Sequence, residues 1–267
     1  PYAALATAAN VFFRQDNDVI ISPHRNVVMQ AYDLLTSSQF ANLAGTPPQA
    51  GWIGVVGQFV VACDLLDDPL RVQWSGLNAI TTWTTGTNLS DFQDMPDGGR
   101  VRAVKEIAGD VGIICQDNAI RRMIFAAGSD LIFQIDKLLS DRGILSAYSL
   151  TAANGLVFFL SSRGYVQLDA SGGLVPIGEE RIDRTFLGQH EDSVSVDIRT
   201  LAYDSSQPQL VIGASDPSKS LVLWVYKSKD GLAGLFDRAL IYHTTLKRWA
   251  PLEISGEYLA AASRPGL

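Results

Sequence analysis

The carboxylates come first, because their spacing is what acid–base or metal chemistry would need. They gather in three places: Asp16 with Asp18, Asp64 with Asp67 and Asp68, and Asp91 with Asp94 and Asp97. Such groups can hold calcium, or can supply the carboxylate pair of a glycosidase when two of them lie about 5 to 9.5 Å apart. The third cluster, SDFQDMPDGG, lacks the one-three-five spacing and the closing Glu of a twelve-residue calcium loop. Asp beside Gly is also the usual composition of a turn, since the carboxylate bonds nearby backbone and Gly accepts positive φ. The turn reading is preferred for all three.

The remaining chemistry-bearing types are sparse. His24, His190 and His243 stand alone, without HxH, HExxH or CxxC spacing, so no metal site is expected. No serine has the G-x-S-x-G context of a nucleophile elbow, and no Walker loop or dinucleotide fingerprint is present. Cys63 and Cys115 end the apolar runs VVAC and GIIC and read as buried, reduced thiols, which suits a reducing cytoplasm. Arg121 and Arg122 are adjacent on a strand-like run, so at least one faces solvent or an interface, most simply in a surface ion pair. The five tryptophans, Trp52, Trp74, Trp83, Trp224 and Trp249, fit packing between sheets better than sugar platforms. No cofactor is implied, and the chain reads as a non-enzyme.

The elements that position these residues are strands. The 267 residues are 47% hydrophobic and 18% charged, enough to bury a core and unlike a disordered chain. No apolar run reaches the roughly 18 to 20 residues that a membrane helix needs. The first residue is not Met, and PYAALATAANVFF lacks the basic start of a signal peptide, so the chain reads as processed or as a fragment. A net charge of −7 disfavours gripping nucleic acid, which rests on Lys and Arg.

Three segments share one grammar: VRAVKEIAGDVGIICQDNAIRRM, SAYSLTAANGLVFFLSSRGYVQL and TLAYDSSQPQLVIGASDPSKSLVLWVY. Each reads as strand, tight turn, very apolar strand, tight turn, amphipathic strand, and GWIGVVGQFVVACDLLDDPLRVQW fits one step upstream. The central turns recur about every 45 to 55 residues, the mark of a β-propeller with three or four antiparallel strands per blade. The expected fold is an all-β propeller of about five or more blades, with a β-sandwich or barrel as the alternative. One domain is expected over 1–267, with 1–45 an N-terminal segment or partial blade. Specific expectations are strands at Val11–Phe13, Ser146–Leu150 and Ile198–Tyr203. A second strand is expected at Leu210–Ala214, with an irregular edge or helical turn over 25–40.

Read in order, RVQWSGLNAITTW, SDFQDMPDGGRVRAV, DNAIRRMIF, GLVFFLSSRGYVQL, PIGEERIDRTF and SLVLWVY with ALIYHTTLKRW resemble one family. It is the bacteriophage virion proteins related to the tail-hub or nozzle protein of short-tailed phages, the tail tubular protein B type. The resemblance spans roughly residues 50 to 250, and members are usually longer than this chain. It implies a structural component of the tail or head–tail tube wall, assembled in the host cytoplasm and located in the virion. It further implies self-association as a ring, commonly a hexamer, contact with tail-adaptor or portal-side proteins, and DNA only as passing cargo, without membrane insertion. Trp74, Trp83, Asp91, Asp94 and Asp97 become the candidate interface and signature loop: Trp74 ends a strand, Trp83 anchors the excursion after it, and the aspartates shape re-entry at Val101. A glycan-binding or glycan-hydrolysing propeller is the alternative function.

Overall fold

Each apolar run becomes a strand hydrogen-bonded to its sequence neighbours, so the sheets are four-stranded antiparallel meanders. The structure is a computed structural model and describes residues 14–16, 18–129, 131–189 and 201–260. It is an all-β propeller of five blades. The first blade holds β1 (Arg14–Asp16), β2 (Val19–His24), β3 (Val27–Asp33) and β4 (Ala41–Asn42). The second holds β5 (Ala50–Val56), β6 (Phe59–Leu65), β7 (Arg71–Trp74) and β8 (Asp91–Asp94). The third holds β9 (Val101–Ala108), β10 (Val111–Gln116), β11 (Ile120–Phe125) and β12 (Phe133–Leu139). The fourth holds β13 (Thr151–Ala153), β14 (Leu156–Ser161), β15 (Gly164–Asp169) and β16 (Leu174–Pro176), followed by a short helix α1 (Asp183–Phe186). The fifth holds β17 (Val211–Asp216), β18 (Leu221–Tyr226), β19 (Phe236–His243) and β20 (Arg248–Gly256). By internal contacts the chain divides between Gly143 and Ile144 into two compact units.

The second strands are mostly apolar because both of their faces are covered. In β6, β10 and β14, Val60, Val61, Ile113, Ile114, Phe158 and Phe159 are all buried. In the first unit β5 lies against β9: Trp52 Nε1 donates to Val104 O at 2.9 Å, across two blades. A Cβ on Gly54 would stand 2.8 Å from that same carbonyl oxygen, so the close approach requires glycine there. In the second unit an aromatic cluster forms the core. Tyr165 lies 4.6 Å from Trp224, which stacks on Trp249 at 5.6 Å. Trp224 Nε1 donates to Ser149 O at 2.9 Å, and Trp249 Nε1 to Ile177 O at 2.8 Å.

Several expectations need correction. The fifth blade begins one strand later than its sequence suggests: Val211–Asp216 is its first strand, and the apolar second strand is Leu221–Tyr226. Leu201 and Ala202 form a turn and bend, and Tyr203 makes an isolated bridge to Ser228, while residues 198–200 lie outside the described residues. A 3-10 turn at Pro208–Leu210 then opens the blade. Residues 25–40 contain a true strand, β3, because pairing with β2 from Val19↔Asp33 to His24↔Val27 outweighs the mixed local pattern. Ser146–Leu150 is mostly a 3-10 turn over Ala147–Ser149, with a three-residue strand after it. Val11–Phe13 lies outside the described residues.

Candidate functional site

The stretch from Arg71 to Arg102 divides into an excursion and a clasp. Trp74 closes β7 and is buried, and its Nε1 donates to Leu89 O at 2.9 Å. Trp83 is also buried, with Nε1 donating to Ile80 O at 2.7 Å. Both indoles are therefore internal anchors, and neither offers a face to a partner. Between Trp74 and β8 run residues 75–90, a segment that holds Trp83 and no charged side chain. It is tied by Gly76 N to Thr82 O at 2.7 Å, Leu77 N to Asn88 O at 2.9 Å and Gly86 N to Ser90 O at 2.8 Å. Leu89 carries φ +65, a left-handed conformation that costs a bulky residue energy and is held here by those bonds.

Asp91 and Asp94 lie on a strand, where a loop had been expected. β8 is the outer strand of its blade and pairs with β7, Trp74 opposite Asp91 and Arg71 opposite Asp94. It is solvated on both faces, so no apolar alternation announces it. Arg71 holds Asp94 through two bonds, Nε to Oδ1 at 2.6 Å and Nη2 to Oδ2 at 3.1 Å. The same guanidinium lies 2.9 Å from Asp68 Oδ2 and stands over the Phe92 ring at 3.8 Å. The Arg71 bonds hold the Asp94 carboxyl below the usual range. Asp91 Oδ1 accepts from Phe92 N at 2.9 Å.

Asp97 and the two glycines after it grip the next blade. Gly98 and Gly99 have φ of +90 and +79. A Cβ on Gly98 would lie 2.6 Å from Ala119 Cβ, and one on Gly99 2.8 Å from Asp117 Cβ. The clasp thus lies flat on the β10–β11 turn, with Asn118 N donating to Gly98 O at 2.8 Å and Asp117 N to Arg100 O at 3.1 Å. Beneath it the buried Gln116 amide donates to Asp97 O at 2.8 Å and Gly99 O at 2.9 Å. Arg121 Nε donates to Gln116 Oε1 at 2.8 Å. The Asp97 carboxylate, exposed, is paired with Arg121 and Lys137. Arg102 Nε reaches Asp117 Oδ1 at 2.5 Å, Arg100 pairs with Asp64, and Arg122 Nη2 reaches Asp136 Oδ2 at 2.9 Å.

This geometry orders a blade junction and engages Asp64, Asp94, Asp97, Asp117 and Asp136 in ion pairs, while Asp91 accepts from backbone. Asp94 and Asp97 are engaged by Arg71 and by Arg121 with Lys137, which is the opposite of a carboxylate pair left free to attack a glycosidic bond. Among the described residues no group of three His, Cys, Asp or Glu side chains is placed to hold a metal. His24 Nδ1 accepts from Asn26 N and His243 Nδ1 from Leu246 N, both local contacts; His190 lies outside the described residues. Burial raises both cysteine thiols, that of Cys63 further through Asp64. Gln116, Asp117 and Arg100 had no signal beyond the polar step after GIIC and the Arg after Gly-Gly.

No family model matches the chain, and no curated protein matches it. Solved propeller structures do. Dihydro-heme d1 dehydrogenase NirN in complex with DHE superposes with a TM-score of 0.52 at 12% identity, over 95% of this chain and 48% of that one. A quinonprotein alcohol dehydrogenase-like protein from Bacteroides thetaiotaomicron gives 0.54 at 9% identity, over 93% and 56%. The chain spans about half the length of these proteins. Neither is a virion protein, and at such identities the likeness concerns the fold alone.

Proposed function

We propose that this propeller is a non-enzymatic structural component of a bacteriophage virion, part of a tail hub, nozzle or head–tail tube wall. The observation that carries the reading is the ordered set of segments resembling the tail tubular protein B family, together with where those segments lie. RVQW forms β7, DFQDMPDGGRVRAV runs from β8 through the clasp into β9, and DNAIRRMIF supplies the β10–β11 turn that the clasp grips together with β11. GLVFFLSSRGYVQL is the β14–β15 hairpin, and PIGEERIDRTF is the segment that leaves β16 and forms α1. Two of these segments, DFQDMPDGGRVRAV and PIGEERIDRTF, lead out of a blade, and the others lie within blades.

In this reading the chain closes into a ring through heterologous contacts, commonly six copies, beside a tail-adaptor or portal-side protein. DNA is passing cargo, and the acidic balance repels it from the wall. Assembly takes place in the host cytoplasm before incorporation into the tail. The test is negative-stain microscopy and mass photometry of the purified protein, with immunodetection in purified virions. Ring-shaped oligomers and virion incorporation are expected. A strictly monomeric protein absent from virions overturns the proposal.

A further inference from the structure

Residues 176–187 form a strap within the second unit. At its start Ile177 O accepts the Trp249 indole N–H from the fifth blade, and at its end Phe186 stacks on Tyr203 at 4.8 Å and meets Tyr226 edge-on at 4.9 Å. Asp183 opens α1 between these anchors and, among the described residues, is the carboxylate that falls in the buried class. Its Oδ1 accepts from Tyr165 N at 3.1 Å, while Oδ2 has no hydrogen-bond partner among the described residues. The carboxyl is pressed onto backbone. A Cβ on Gly164 would lie 2.0 Å from Oδ2, and one on Gly178 2.0 Å from Oδ1. An ionised group so placed has given up water at one oxygen and received nothing for it; a protonated one has far less to lose.

We infer that the strap over residues 176–187 is fastened by a protonated Asp183 and loosens when that carboxyl ionises, so that the junction of the fourth and fifth blades responds to mildly acidic pH. Two of the influences on Asp183 favour the protonated acid: burial is the largest, and Glu179, on the loop before α1, adds repulsion. The Tyr165 N–H from β15 works against them by stabilising the charged form, and burial outweighs it. Among the described residues no cation is among the groups that shift the Asp183 acid. Arg181 donates to Lys247 O and Arg184 to Gln189 O, while Arg163 is exposed at the β14–β15 turn, as is Glu180 on the loop. Burial pushes the Asp183 acid from 3.8 up to about 6. A group raised in the folded state favours folding fully below its unfolded value, and that contribution is lost as pH climbs through the folded value. The strap is therefore tighter near pH 5.5 than near pH 8.

Amide hydrogen exchange, corrected for intrinsic rates, reads this directly at Tyr165 and across residues 182–187. The opening constant should rise about fourfold between pH 5.5 and pH 8 in the wild-type chain. In Asp183→Asn, which keeps the acceptor for Tyr165 N–H, it should stay constant. Equal protection at both pH values in the wild type, or the same pH dependence in D183N, overturns the inference. If D183N does not fold, tryptophan fluorescence of the wild type decides, because Trp224 and Trp249 adjoin the strap. A transition with a midpoint near pH 6 supports it, and none between pH 5 and 7.5 rejects it.

Discussion

At the scale of single residues, the glycines of the clasp and the excursion make a controlled comparison. Gly98 and Gly86 share a left-handed backbone, at φ +90 and +80, but Gly98 faces Ala119 and Gln116 closely while nothing lies within 4 Å of a Cβ on Gly86. Gly98→Ala should cost about 2–4 kcal/mol, from backbone strain plus a clash, whereas Gly86→Ala should cost about 1–2 kcal/mol from the backbone alone. Urea denaturation of both variants checks this. Gln116→Ala leaves the carbonyls of Asp97 and Gly99 without their buried donor and should cost about 2–4 kcal/mol by the same measurement. Cys63 and Cys115 are fully buried with raised thiols, so a thiol-specific chromogenic reagent should leave the native protein unlabelled and react with both in denaturant.

At the scale of elements, indole N–H groups bind blade to blade. Trp224→Phe removes the donor to Ser149 O and leaves a buried carbonyl unpaired, so a loss of about 2 kcal/mol in denaturation is expected. Asp97→Asn should cost less than about 1 kcal/mol, and less still in high salt, because its carboxylate is half exposed. The outer strands are guarded against strand addition. β4 has two residues and β16 three with Pro176, while the longer β12 and β20 carry Asp136, Lys137, Pro251 and Glu253.

These elements also show what was legible in the sequence. β6, β10 and β14 were plain because burial on both faces leaves continuous apolar runs, and the Asn154-Gly155 turn declared its hairpin, with φ +53 and +74. β8 was missed because an outer strand needs no apolar face. The fifth blade was misregistered by one strand because Leu201–Tyr203 has strand composition but lies in a turn joined to α1 through Tyr203 N and Phe186 O. In the candidate site, Trp74 and Trp83 could be placed as anchors in advance. The role of Asp97 could not, since its partners Arg121 and Lys137 come from strands 24 and 40 residues away.

At the scale of the whole molecule, charge dominates. With a net charge of −7 and a pI near 4.9, the protein should be least soluble near pH 5 and should show no stable retention of duplex DNA in a gel shift at physiological salt. A retarded band whose affinity falls steeply with salt would contradict that expectation. Among the described residues no helix is long and apolar enough to cross a membrane.

The excursion over residues 75–90 has a practical corollary. Its ends are fastened by Ser75 N to Val60 O and Ser90 Oγ to Trp74 O, so its tip is mechanically separate from the β7–β8 pairing. Exposed Thr84, Thr85, Gly86 and Thr87 form that tip. A peptide epitope or small tag spliced in after Gly86 would project outward from a stiff pedestal, which makes this position a natural attachment point for displaying foreign sequence.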